Sequence, residues 1–163
     1  MSGELLHEVR AVVADFESAQ AELQRLYGRK RTALVEARAA ELIELAQAEA
    51  ALAERCRGIF ARRARVLSRA ATQGICGDTL AAVTGQVAGP EARELGDRIE
   101  TSRRRSELLR REHWALWIIA QRASRHHVEL IELVAEHGRR SPVYEQDRAA
   151  RHVAGGAILD ASA

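Results

Sequence analysis

The chain predicts an all-α fold: an elongated antiparallel three-helix bundle or coiled coil, with a short connector helix and a loose C-terminal tail. Three observations predict it. Alanine, leucine, glutamate and arginine dominate, while aromatics make up 4% and prolines number 2 in 163 residues, a composition that favours helix over sheet. No stretch alternates apolar and polar residues with the β-branched content of a half-buried strand. Apolar residues recur by threes and fours through three long segments, which is the spacing of a heptad seam.

The first helix is expected over residues 4–27. Leu6, Val9, Val13, Phe16, Gln20, Leu23 and Tyr27 form a narrow seam, and Gly28 reads as a C-cap that opens a short turn at 28–31. The second is expected over 32–72, with Leu42, Leu45, Leu52, Cys56, Ile59 and Val66 on its seam and Glu49 and Arg63 as polar interruptions. Polar seam positions cost stability but help to fix register. The stretch QGICGD at 73–78 is the clearest break. Asp78 is a good N-cap for a connector helix over 79–87, where the chain reverses at the end of the bundle.

The third long helix, over 90–137, is the spine. Pro90 with Glu91 and Glu94 behind it is a helix start, and Gly138 after His137 reads as its C-cap. Leu95, Ile99, Ser102, Ser106, Leu109, His113, Leu116, Ala120, Ala123, His127, Leu130 and Val134 continue the seam. At roughly 47 residues such a helix would be about 70 Å long. The stretch 114–119 is apolar all round, because Leu109, Leu116 and Ile119 share one face while Trp114, Trp117, Ile118 and Val128 lie opposite. A helix apolar on both sides is covered on both sides or exposes a patch, so these residues are either further core or a docking surface. Residues 1–138 form the bundle in this reading. The remaining 139–163, with a proline, a Gly pair and scattered apolar residues, cannot build a core alone and read as a flexible tail.

No motif points to catalysis or a cofactor. Glu4 and His7 have the spacing of one half of a di-iron helix pair, but no other histidine has a glutamate three residues before it, and such a site needs a second motif facing the first. His113 and His127 stand two heptads apart, about 21 Å along a helix. Gly155 and Gly156 lack the lysine of a phosphate loop, and no Ser or Cys lies in a nucleophile motif. The expectation is no enzyme, no metal and no cofactor. Charged residues make up 29% of the chain yet the net charge is +2, which argues against a nucleic-acid binder. The arginines at 103–105, 110 and 111 read instead as a solvated face, with Glu100 and Glu107 four residues before Arg104 and Arg111 for helix ion pairs. The first ten residues carry Glu4 and Glu8 and lack the apolar core of a signal peptide. The longest apolar run, 114–120, is too short to span a bilayer. Cys56 and Cys76 form no CxxC motif and read as reduced thiols. A cytoplasmic protein without membrane insertion is expected.

The layout resembles the FlgN family of flagellar type III export chaperones. The likeness runs through LVEARAAELIELAQAEAALAERCRGIFARRAR at 34–65, the short element at 80–83, and a tail with Pro142, Tyr144, Gly155, Gly156, Leu159, Asp160 and Ala163. In two places the chain departs from the family pattern. Glu145-Gln146-Asp147 stands where Pro-Asp-Gly often follows the tail tyrosine, and residues 110–113 stand where an asparagine pair is common. The resemblance implies binding of the C-terminal amphipathic segments of hook-associated proteins at the hook–filament junction, and their delivery to export-gate components. Helix-in-groove recognition supplies a mechanism. The residues suited to client binding are Trp114, Trp117, Ile118 and Val128 on the spine, and Tyr144, Val153, Ile158 and Leu159 in the tail. Two rivals stand beside this reading. One is a structural or adaptor coiled coil that forms a homo-oligomer through its seams; the other is a basic-helix nucleic-acid binder.

Overall fold

In the computed structural model, which describes residues 2–139 and the side chains of 3–136, the seams fold into four helices and no strand occurs among the described residues. They are α1 (Ser2–Val35), α2 (Ala39–Thr72), α3 (Leu80–Gly85) and α4 (Pro90–Arg139). The chain divides into two units with the boundary between Ile119 and Ala120, and the helix packing described below belongs to the first.

Ion pairs set the direction of each helix. Arg69 holds Glu4 and Glu8, Arg62 holds Asp15, Arg55 holds Glu22, and Lys30 holds Glu49 at 2.7 Å. Rising numbers on α1 meet falling numbers on α2, so the two helices are antiparallel. On α4 the order reverses. Arg10 meets Glu91, Glu17 meets Arg98 at 2.6 Å, and Arg31 meets Glu112, so α4 runs parallel to α1 and antiparallel to α2. Exposed pairs of this kind contribute little energy each, about 0–1 kcal/mol. The core supplies the stability.

That core is wider on α1 than a single seam. Leu6, Val13, Gln20 and Tyr27 recur every seven residues and are buried; the last two put their polar atoms on α4. A second row, Leu5, Val12, Ala19, Leu26 and Ala33, is buried beside it, next to the acids that reach α2. A helix with two partners needs an apolar stripe this broad. From α2 come Leu45, Leu52, Ile59 and Val66, a strict seven-residue repeat, followed by Ala70. Leu80 and Val83 of α3 and Ala92 and Leu95 of α4 close the same cluster.

The turns correct three expectations. Helix α1 passes straight through Gly28 and ends at Val35. A helical glycine costs about 1 kcal/mol relative to alanine, but Tyr27 and Ala33 are buried on either side of it and Lys30 and Arg31 bond to α2 and α4, so packing overrides the glycine. The chain turns instead at 36–38. There the Arg38 N–H donates to the Ala33 carbonyl (2.9 Å) and Ala37 takes a left-handed φ of 52°. This is the Schellman arrangement that usually ends a helix on glycine. The same arrangement ends α2, with Ile75 N–H donating to Ala70 O (3.0 Å) and Gly74 at φ 78°. The connector helix is capped by Thr79, whose hydroxyl accepts from Ala82 N–H at 3.1 Å, one residue beyond Asp78; Asp78 gives its carbonyl to Arg63 instead. Helix α4 starts at Pro90 as expected but includes Gly138. Cys56 and Cys76 are free thiols.

Candidate functional site

The stretch 114–119 begins with the question of which face of α4 the bundle uses. Leu109 and Leu116 are buried at 6% and 3% exposure and pack with Tyr27. The face is fixed by polar seam residues. Gln20 Nε2 donates to Ser102 O (2.8 Å) and Ser106 Oγ (2.7 Å), and the Tyr27 hydroxyl is bonded to His113 Nδ1 at 3.1 Å. Burial, with the Glu49 and Glu112 carboxylates nearby, pushes the Tyr27 hydroxyl up to about 12. Polar groups at seam positions admit one register and penalise slippage, since a shifted α4 would leave Gln20 and Tyr27 buried without partners.

That register sends the rest of the stretch outward. Trp114 is 57% exposed, Trp117 50% and Ile118 45%, and the two indoles meet edge to face with centroids 5.6 Å apart. They are therefore not core of this bundle. Ile119, expected on the inner face with Leu116, is also exposed. Val35 and Ile43 are exposed at the same end, around the α1–α2 turn. Neither stood out in the sequence, because Val35 precedes a turn that carries no glycine and Ile43 lies between seam residues Leu42 and Leu45.

Arginines border the tryptophans. Glu100 is held by Arg103 and Arg104, whose hydrogen bonds keep its carboxyl down to about 2. Glu107 turns back to Arg103 at 2.8 Å and not forward to Arg111, which corrects the second of the two helix pairs expected here. Arg110 and Arg111 are left exposed, with no ion pair among the described residues.

In the second unit, considered by itself, Val128 is exposed, as are Leu130, Ile131 and Val134. Tyr144, Val153, Ile158 and Leu159, the tail residues expected to bind a client, lie outside the described residues. Elsewhere Glu4 is taken by Arg69 at 2.9 Å. Among the described residues no three His, Cys, Asp or Glu side chains are placed to hold a metal ion, and no helix is long and apolar enough to cross a membrane. Comparison of the chain with protein-family models, with curated proteins and with solved structures returns no match.

Proposed function

We propose that this chain is a non-enzymatic, cytoplasmic export chaperone of the FlgN type. It sequesters the C-terminal amphipathic segments of flagellar hook-associated proteins, prevents their premature assembly and passes them to export-gate components. The observation that carries the reading is the outward placement of Trp114, Trp117 and Ile118 on a helix whose opposite face, Leu109 and Leu116, already closes the bundle. A helix held rigidly on one side presents the other without an ordering cost of its own. Rigid aromatics in a cluster are the usual energetic centre of an interface, and an amphipathic client that is disordered before binding bears the ordering cost itself.

The test is a titration of the full chain with the isolated C-terminal segment of a hook-associated protein, followed by the emission of Trp114 and Trp117, the 2 tryptophans present. A saturable emission shift with a defined mass ratio by light scattering is the expected result. No shift at any concentration would contradict the proposal.

A second reading has an observation of its own. Leu130 and Val134, which continue the heptad spacing, are exposed, as they would be in an adaptor coiled coil that forms a homo-oligomer. A stable oligomer that buries both tryptophans in the absence of any client would favour it.

A further inference from the structure

Arg110 and Arg111 give the tryptophan face a charge as well as an apolar surface. On a helix, residues three and four apart are neighbours, so Arg110 and Arg111 both stand one turn before Trp114, and Arg111 two turns before Ile118. Their acid partners are gone: Glu107 is engaged by Arg103 and Glu112 by Arg31. Two guanidinium groups with no ion pair among the described residues therefore rim an apolar patch that a partner would dry. A carboxylate brought there would pair with arginine in a partly desolvated setting, where attraction is stronger than on an open surface, and the planar fork of arginine suits two carboxylate oxygens at once.

We propose that the Trp114/Trp117 face takes an amphipathic helix whose apolar stripe is bordered at one end by Asp or Glu, positioned to pair with Arg110 and Arg111. The inference rests on the client-binding reading above and names the chemistry of the client. The patch suits a helix better than an anionic membrane. On α4 within the first unit the exposed large apolar residues are Leu108, Trp114, Trp117, Ile118 and Ile119, a shorter run than the continuous stripe of a helix that lies in a bilayer surface. A flat anionic surface would also meet Glu107, two turns before Trp114 on the same face, whereas a single helix can place its carboxylates on the two arginines alone.

The experiment uses the full chain and three synthetic helical peptides with the same leucine stripe, flanked at one end by Glu, Gln or Lys. Tryptophan emission reports binding. The Glu peptide is expected to bind about tenfold more tightly than the Gln peptide, with the advantage shrinking as salt rises. The Lys peptide is expected to bind most weakly. In the double variant Arg110→Gln/Arg111→Gln the advantage of the Glu peptide should vanish while affinity for the Gln peptide is retained. Equal binding of all three peptides would overturn the acidic-client inference and leave the client-binding reading standing. If no peptide perturbs the tryptophans, both fall. Both fall equally if the emission responds only to phosphatidylcholine–phosphatidylserine vesicles, or if light scattering shows that a second copy of the chain already covers the face.

Discussion

The two ends of the first unit are built from different materials. At the α3 end, Leu5, Val9, Val66, Ala70, Leu80, Val83 and Leu95 converge in one apolar cluster and are nearly inaccessible. At the α1–α2 turn end Leu26, Ala33 and Leu45 carry that cluster on between α1 and α2, but α4 is met there only by a small separate set, Tyr27, Leu109 and Leu116; register is held by the Tyr27–His113 contact, and large apolar residues stand in solvent. The comparison separates two tasks. The first end anchors the bundle thermodynamically. The second holds α4 at one register and leaves its outer face exposed, so the residues proposed for client binding are not those that stabilise the fold.

Truncations give the largest expected difference between the ends. Leu95→Ala removes a fully buried side chain among close neighbours and should cost about 4 kcal/mol, whereas Leu116→Ala should cost about 2 kcal/mol because the thinner end relaxes more easily. Denaturant unfolding of the two variants measures both. Equal losses would break the comparison.

Alkaline pH probes the thin end alone. The Tyr27 hydroxyl is raised to about 12 in the folded chain, against about 10 for an unfolded tyrosine. The folded state therefore holds the proton longer. The stabilisation is complete below about pH 10 and is lost as pH rises through 12, by about 3 kcal/mol in total. Ultraviolet titration of a Tyr144→Phe variant isolates Tyr27, since the chain has 2 tyrosines. Ionisation near the ordinary value would contradict its burial.

The smallest effect lies in the two matched helix ends. Ala37 occupies the left-handed position that Gly74 occupies at the end of α2, and a non-glycine residue there is strained by about 1 kcal/mol. Ala37→Gly should raise stability by about 1 kcal/mol and Gly74→Ala should lower it by a similar amount. Thermal melts of the pair check the sign.

The same two positions explain what the sequence could and could not reveal. Gly74 announces its turn; Ala37 does not, and Gly28 announces one that is absent, because the contacts of Tyr27, Lys30, Arg31 and Ala33 lie on helices far away in the chain. Helix type and the start at Pro90 were legible from local signals. The second buried row of α1 was not, since Ala19 and Ala33 carry little hydrophobic contrast. Gln20, Ser102, Ser106 and His113 could be placed on seams, but not paired with one another, because register between distant helices leaves no local mark. The apolar girdle at 114–119 was legible; its outward direction followed only once those polar pairs had fixed the inner face.

In the proposed function the outward tryptophans bind the client and do not hold the fold. The most direct measurement is the affinity of the double variant Trp114→Ala/Trp117→Ala for the C-terminal segment of a hook-associated protein, alongside its melting curve. Stability is expected to stay within about 0.5 kcal/mol of the parent chain while affinity falls by about 30-fold or more, the loss expected for aromatic anchors at the centre of an interface. Unchanged affinity in a folded variant, or a loss of stability as large as that of Leu95→Ala, would contradict it.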